Sequence, residues 1–261
     1  MAATLITGAS SGIGEEFARR LARDKRNLVL VARSQDKLES LAAELAAAHG
    51  IQTVPLVFDL TKEDAAQKLF DETARRNLDI DLLINNAGFG SLGAFTKFDA
   101  QRDAEMIDLN VKSLVALTHL YIRPMMTRRD GSVINVASTA AFQPVPFMAT
   151  YAATKAFVLS FSEALAEEMR DYNVKVMALC PGATETDFFN AAQGARPPMR
   201  LVETPAQVVA TALHALKQGK PSVISGWSNF LVANSSRFFP RTLVTRIAGN
   251  VMRSTYAKRE D

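Results

Sequence analysis

Cysteine is nearly absent: Cys180 is the only one in 261 residues, which excludes an internal disulfide framework. Histidine is almost as scarce, and His49, His119 and His214 lie too far apart for the usual metal-ligand spacings, so no bound metal is expected. No run of eighteen apolar residues occurs. The first apolar stretch, Thr4 to Thr7, leads straight into a glycine-rich turn without the basic start or cleavage pattern of an export signal. Net charge is also small, +3 at pH 7, so no nucleic-acid partner is expected. These absences together point to a soluble cytoplasmic protein.

What is present is ordinary globular material, 48% hydrophobic and 22% charged residues. The length exceeds the usual one-domain value of about 150 but stays near the roughly 250 that single α/β domains reach. Short β-rich runs alternate with helical patterns. Strands are expected at Thr4–Thr7, Asn27–Ala32, Val54–Phe58, Leu82–Ile84, Ser132–Val136, Val174–Leu179 and Ser222–Ile224, each separated from the next by a helical stretch. The first helix runs from about Gly12 to Arg23 and buries Phe17 and Leu21. Ser34 can cap the next, Thr61 to Asp64 resembles a capping box, Thr204–Pro205 starts a later helix and Gly219 can end it. This arithmetic gives a single doubly wound α/β domain of Rossmann type over residues 1–228, a seven-stranded parallel sheet with helices on both faces. Residues 229–261 fit no further βα unit. They hold six basic against two acidic residues from 237 onward, and read as a basic, amphipathic helical appendage.

The first strand ends in Thr7-Gly8-Ala9-Ser10-Ser11-Gly12-Ile13-Gly14, where glycines clear a path for a pyrophosphate to reach backbone N–H groups at a helix start. Gly8, Ser10, Ser11, Gly12, Ile13 and Gly14 are therefore candidate cofactor contacts, against the reading that the glycines only make a tight connection. At the end of strand two, where an acid would hold the ribose hydroxyls of NAD, the chain has Ala32-Arg33-Ser34. Arg33 can pair with a 2′-phosphate and Ser34 can add a hydroxyl, which favours NADP(H); the alternative is a solvated arginine at a strand end. Asp59, followed by Leu60, can hold an adenine amino group or cap a helix. Asn86, Ala87 and Gly88, in Asn85-Asn86-Ala87-Gly88, read as both structural and cofactor-facing.

Tyr151 and Lys155, in Tyr151-Ala152-Ala153-Thr154-Lys155, open a helix one turn apart on one face, so their polar ends can meet. An ammonium there favours the phenolate of a tyrosine whose ordinary pKa is about 10. Ser138 precedes them by thirteen positions, where its hydroxyl can hold a carbonyl oxygen while Tyr151 transfers a proton. In order and spacing, TGASSGIG, NNAG, the upstream serine, YAATK and Pro181-Gly182 resemble the short-chain dehydrogenase/reductase family over roughly residues 4–228. Within it the chain resembles NADP(H)-preferring 3-oxoacyl reductases and hydroxysteroid dehydrogenases. The resemblance implies a catalytic tetrad of Asn110, Ser138, Tyr151 and Lys155. In it Ser138 positions the carbonyl, Tyr151 is acid in reduction and base in oxidation, Lys155 binds the nicotinamide ribose and lowers the tyrosine pKa, and Asn110 supports a water-mediated proton relay. It also places Pro181, Gly182, Thr184 and Thr186 beside the nicotinamide.

The expected reaction is hydride transfer between NADP(H) and a small-molecule carbonyl or secondary alcohol, in a homodimer or homotetramer. Thr139 to Thr150 and the pair Phe188–Phe189 supply apolar residues that either wall a substrate pocket or pack in a core or dimer contact. Asp187 to Glu203, with Gly194, Pro197 and Pro198, reads as a lid in which Arg196 and Arg200 can hold an acidic group, or as a solvated loop. Cys180 reads as inert core and the histidines as helix-face residues. Two rival readings remain: a non-catalytic NADP-binding sensor, and a membrane-surface protein attached through its tail, where Phe230, Phe238, Phe239, Leu243, Val244 and Ile247 mix with Arg237, Arg241, Arg246 and Arg253.

Overall fold

The wholly apolar run Leu28–Ala32 can satisfy its side chains only if covered on both faces, and every residue of it is buried, the signature of a central parallel strand. The computed structural model describes residues 1–186, 188, 192, 202–236 and 238–257, and for 254–257 the backbone alone. Its seven strands are β1 (Ala2–Thr7), β2 (Leu28–Ala32), β3 (Thr53–Val57), β4 (Asp79–Asn85), β5 (Gly131–Val136), β6 (Val174–Cys180) and β7 (Ser222–Ile224). They form one sheet in the order β3-β2-β1-β4-β5-β6-β7, with every pairing parallel. Pro55 sits in β3, at the sheet edge, where a missing N–H is tolerated.

Helices α1 (Gly12–Arg23), α2 (Gln35–His49), α3 (Ala65–Arg75), α4 (Ala100–Ile107), α5 (Leu114–Arg128), α6 (Ala149–Glu168) and α7 (Pro205–Lys217) fill the connections. Phe17 and Leu21 of α1, Leu38 and Leu45 of α2 and Val208 of α7 enter one core with Leu30 and Ile84 of the sheet. Leu69 of α3, Leu117 and Tyr121 of α5 and Leu5 and Leu83 of the sheet form the other. The sheet is thus a middle layer with apolar helix faces on both sides, as the sequence reading expects. Two further helices, α8 (Trp227–Ser235) and α9 (Arg241–Ala257), follow β7, so helix begins two residues before the expected appendage.

Local differences have physical causes. β4 begins at Asp79 rather than Leu82 because the charge that argued against a strand is neutralised: the Asp81 carboxylate accepts from the Arg26 guanidinium. The expected capping box at Thr61–Asp64 does not form. Asp64 takes a left-handed conformation with φ +59° and makes no side-chain cap, while the Asp59 carboxylate accepts from the Thr61 N–H and hydroxyl at 3.1 and 2.8 Å. Ser34 occupies the cap position of α2 without a capping hydrogen bond. Thr204 and Gln207 do form a full capping box on α7, and Gly219 follows that helix at φ +68°.

Candidate active site

In an open parallel sheet the chain reverses its direction of travel where β1 lies between β2 and β4, and a crevice opens at the strand C-termini beside that point. Here the crevice is a cavity of about 660 Å³. Its wall runs from Gly8, Ser10, Ser11, Gly12 and Ile13 through Arg33, Ser34, Asp59 and Leu60 to Asn86, Ala87 and Gly88, and on to Ser138, Tyr151, Lys155, Pro181, Gly182, Thr184 and Thr186. Two residues named from the sequence stand behind the wall instead. Gly14 is buried in α1, where an added Cβ would run into the Gly8 carbonyl oxygen and the Asn86 amide, so it serves the close approach of helix to strand. Asn110 is 1% exposed and lies behind Gly88, off the cavity wall.

The glycine-rich turn is held open from below. Thr7 Oγ1 accepts from the N–H groups of Asn86 and Ala87, both at 3.0 Å, and the Asn86 amide donates to the Thr7 and Gly8 carbonyls at 2.9 and 3.2 Å. Asn86 therefore ties β4 to the turn while also lining the cavity. Gly8, at φ +66°, has Ala87 backbone and the Asn86 amide where a side chain would go. The N-terminus of α1, with its unsatisfied N–H groups, thus faces a space that no protein atom fills, a site suited to a phosphate. Arg33 and Ser34, exposed at the end of β2, flank the same space with Lys37 of α2 one turn on. Lys37 was not anticipated; its signal in the sequence is only its position three residues after Ser34. Asp59 uses one carboxylate oxygen on Thr61, and Arg33 and Lys62 act on it electrostatically.

At the other end, Ser138 caps a short 3₁₀ turn, Thr139–Phe142, by accepting from the Ala140 N–H at 3.1 Å, and its hydroxyl lines the cavity beside Tyr151, whose phenolate it favours. The Lys155 ammonium lies 5.8 Å from the Tyr151 ring centroid and donates to the Val136 carbonyl at 2.7 Å. The expected lowering of the tyrosine pKa by lysine is not what this arrangement gives. Burial pushes the Tyr151 phenol up to about 12, with the Ser138 hydroxyl opposing, and burial pulls Lys155 down to about 8. Desolvation dominates at both groups, and the amine is directed at the Val136 carbonyl rather than at the phenol. Phe188 packs on Tyr151 with ring centroids 5.2 Å apart, and Gly90 leaves room for both rings.

Asn110 acts on this end indirectly. Between α4 and α5 the helix widens into one π-type turn, Asp108–Ser113, and this swings Asn110 inward. Its Oδ1 accepts from the Phe89 N–H at 3.1 Å, and its Nδ2 donates to the Phe89 carbonyl at 2.9 Å and to Thr154 Oγ1 at 3.1 Å. Thr154 in turn donates to the Tyr151 carbonyl at 2.7 Å. One amide thereby fixes the Phe89 backbone against the helix that carries the tyrosine. Cys180, fully buried with its thiol pushed up to about 12 chiefly by burial, is inert core.

Of the apolar segment before Tyr151, Thr139, Ala140, Gln143, Val145 and Met148 reach the cavity, and Phe142 and Phe147 do not. The appendage, unanticipated here, contributes Val232, Ala233 and Met252. Asp187, Phe189, Gly194, Arg196, Pro197, Pro198 and Arg200, named for a lid, lie outside the described residues.

A hydroxyl pair, a buried amine and a glycine cradle at opposite ends of one cavity can bind a dinucleotide and pass a proton to or from an oxygen. The family model described as short chain dehydrogenase matches residues 2–196, three quarters of the chain. The chain belongs to the short-chain dehydrogenase family. This short-chain dehydrogenase is 34% identical over 231 residues to the very-long-chain 3-oxoacyl-CoA reductase of Mycosarcoma maydis, covering 85% of this chain and 65% of that one. It is 38% identical over 186 residues to the serine 3-dehydrogenase of Agrobacterium fabrum, covering 70% and 72%. A solved short-chain dehydrogenase from Sphingobium yanoikuyae, in complex with NADPH, superposes with a TM-score of 0.82 at 32% identity, over 91% of this chain and 94% of that one. The short-chain dehydrogenase described here therefore spans just under two thirds of the fungal relative's length and nearly all of the bacterial structure.

Proposed function

We propose that this protein is an oxidoreductase that moves a hydride between NADP(H) and the carbonyl or secondary-alcohol carbon of a bulky apolar substrate. The observation that carries the reading is the Ser138–Tyr151 hydroxyl pair beside buried Lys155, at the far end of a cavity that begins at the Gly8–Gly12 turn. The glycine cradle fits a pyrophosphate, Arg33, Ser34 and Lys37 fit a 2′-phosphate, and a bound nicotinamide supplies or takes the hydride. The Ser138 hydroxyl holds the substrate oxygen. Tyr151, pushed up to about 12, keeps its proton at neutral pH and has it ready for that oxygen when the carbonyl is reduced. Lys155 orients the ribose, and its charge steadies the phenolate left behind.

The names of the relatives span acyl thioesters and an amino acid, so the substrate class is argued from the wall itself. Val145, Met148, Phe188, Val232, Ala233 and Met252 line the cavity, a lining suited to an aliphatic or acyl chain rather than to an amino acid. A panel of ketones graded by chain length, followed at the nicotinamide absorbance with each cofactor, tests both halves. Arg33→Ala should weaken NADP(H) by about 1.5–3 kcal/mol and leave NAD(H) nearly unchanged. Equal weakening of both cofactors overturns the 2′-phosphate assignment.

We also read the protein as a cytoplasmic homodimer. A lone buried cysteine suits a reducing compartment, and α6 exposes Phe157 stacked on Phe161 at 5.8 Å with Glu163, Glu167 and Glu168 farther along the same helix, a mixed face of the kind that pairs with a copy of itself. Light scattering of the wild type and of Phe157→Glu checks the dimer, and cell fractionation the compartment.

A further inference from the structure

Helices α8 and α9 have two faces with different neighbours. Inward, Ala233 and Met252 line the cavity, Gly249 lies against Pro146, and the Ser236 hydroxyl donates to the Phe142 carbonyl at 3.3 Å. Outward, the two helices and their connection show water a succession of large apolar side chains, the kind of clustered exposure that marks an interaction surface. Trp227, 73% exposed, stacks on Phe230 at 5.6 Å in α8; Phe238, 82% exposed, and Phe239 project from the connection; Leu243 and Ile247 follow one turn apart on α9. Arg241 and Arg246, both exposed, stand among them.

The charge of this stretch decides what can cover it. From Glu203 to Glu260 the sequence contains no acidic residue at all, while six basic residues fall between positions 237 and 259. A second copy placed face to face by two-fold symmetry would set arginine against arginine with no carboxylate to absorb either. An anionic lipid surface meets both features. Aromatic and aliphatic side chains enter the boundary between headgroups and acyl chains, and the arginines remain at the phosphates. No helix of the described residues is long and apolar enough to cross a membrane, so attachment is by lying on the surface.

We propose that the outward face of α8 and α9 docks the protein on an anionic bilayer. On the reading given under Proposed function, this also sets the cavity mouth, walled by the inner face of the same two helices, at the lipid surface, where an apolar ketone or acyl substrate is dissolved. Docking itself does not depend on that reading.

The test is co-sedimentation of the full-length protein with vesicles of phosphatidylcholine alone and of phosphatidylcholine with phosphatidylglycerol, beside turnover of a short water-soluble ketone. Binding should require phosphatidylglycerol and weaken with added salt. Arg241→Gln and Arg246→Gln should each lower partitioning about fivefold. Phe238→Ser with Phe239→Ser should abolish it, all with soluble-ketone turnover unchanged because none of these side chains touches the cavity. Failure of the wild type to bind anionic vesicles overturns the proposal. So does equal binding by the variants, or a dimer in light scattering that the double serine variant dissolves, which would assign the face to a second copy. A protein that binds vesicles but reduces no ketone leaves docking in place and removes the catalytic reading.

Discussion

Tyr151 and Lys155 show how one turn of helix can be read correctly for position and incorrectly for energetics. Spacing put both on one face of a helix start, and both are there, 8% and 5% exposed. Spacing does not carry burial, and burial drives Tyr151 upward and Lys155 downward together. Tyr151→Phe should lower turnover by about 10²–10⁴-fold, with cofactor affinity measured by fluorescence titration changed little, since only the transferable proton is removed. Lys155 should behave differently. Its amine holds a proton less readily in the folded protein, at about 8, than at its ordinary 10.5, so the unfolded chain binds more protons between those values and stability climbs with pH across that window. Below about pH 8 the folded state bears the whole cost, of order 3 kcal/mol. Lys155→Met relieves that cost and loses the hydrogen bond to the Val136 carbonyl, for a net gain near 1 kcal/mol at neutral pH. Calorimetric melting should therefore find the variant inactive and more stable than wild type near neutrality, with wild type overtaking it as the pH rises through the window from about 8 to 10.5 and the buried amine gives up its proton. A variant less stable than wild type at neutral pH refutes this account.

Elements were more legible than their ends. The seven strands stand where apolar runs put them because a strand covered on both faces must be apolar throughout. The capping box at Thr61 was misread because Asp59, two residues earlier, competes for the same Thr61 hydroxyl and N–H. The π-type turn at Asp108–Ser113 was not foreseen, since its composition is ordinary helix and the widening comes from Asn110 meeting the Phe89 backbone, a contact between residues 21 apart. A second long-range device was equally invisible. The Glu203 carboxylate accepts from the fully buried Ser225 hydroxyl at 2.9 Å and from the Asn229 amide at 3.0 Å, joining the strand-like segment at Thr184 to the start of α8. Glu203→Ala leaves the buried Ser225 hydroxyl without its acceptor, at a cost of about 2–3 kcal/mol and a loss of roughly 5 °C or more in Tm by scanning calorimetry. Glu203→Gln keeps one acceptor and should recover a good part of that loss; no recovery would mean that charge, not hydrogen bonding, is what Ser225 and Asn229 need.

At the scale of the molecule, the cavity draws on the first residues of the chain and on some of the last, from Gly8 to Met252. Motifs such as TGASSGIG and YAATK were visible because each is local. The wall that α8 and α9 provide was not, because nothing in residues 229–257 announces that Val232, Ala233 and Met252 turn toward a site built more than eighty residues earlier, at Ser138 and Tyr151. Ending the chain after Ser236 keeps Asn229 and α8 but removes Met252. KM for a long-chain ketone should rise about tenfold with a short ketone little affected, read from initial rates, if each lost apolar contact is worth the usual 1–3 kcal/mol. Equal changes for both ketones would mean that the appendage supports the fold and not the substrate.

The sheet order also dictates a sequence of events in time. β1 is the first strand in the chain yet lies inside the sheet, with β2 on one flank and β4, which begins at Asp79, on the other. During synthesis β1 emerges well before its partner β4 and must wait, with one edge bare, until more than seventy further residues have followed it. The cradle that Thr7 and Asn86 build across that junction is among the last local structures to close, so a newly made chain should become able to retain its nucleotide only after the centre of the sheet has zipped.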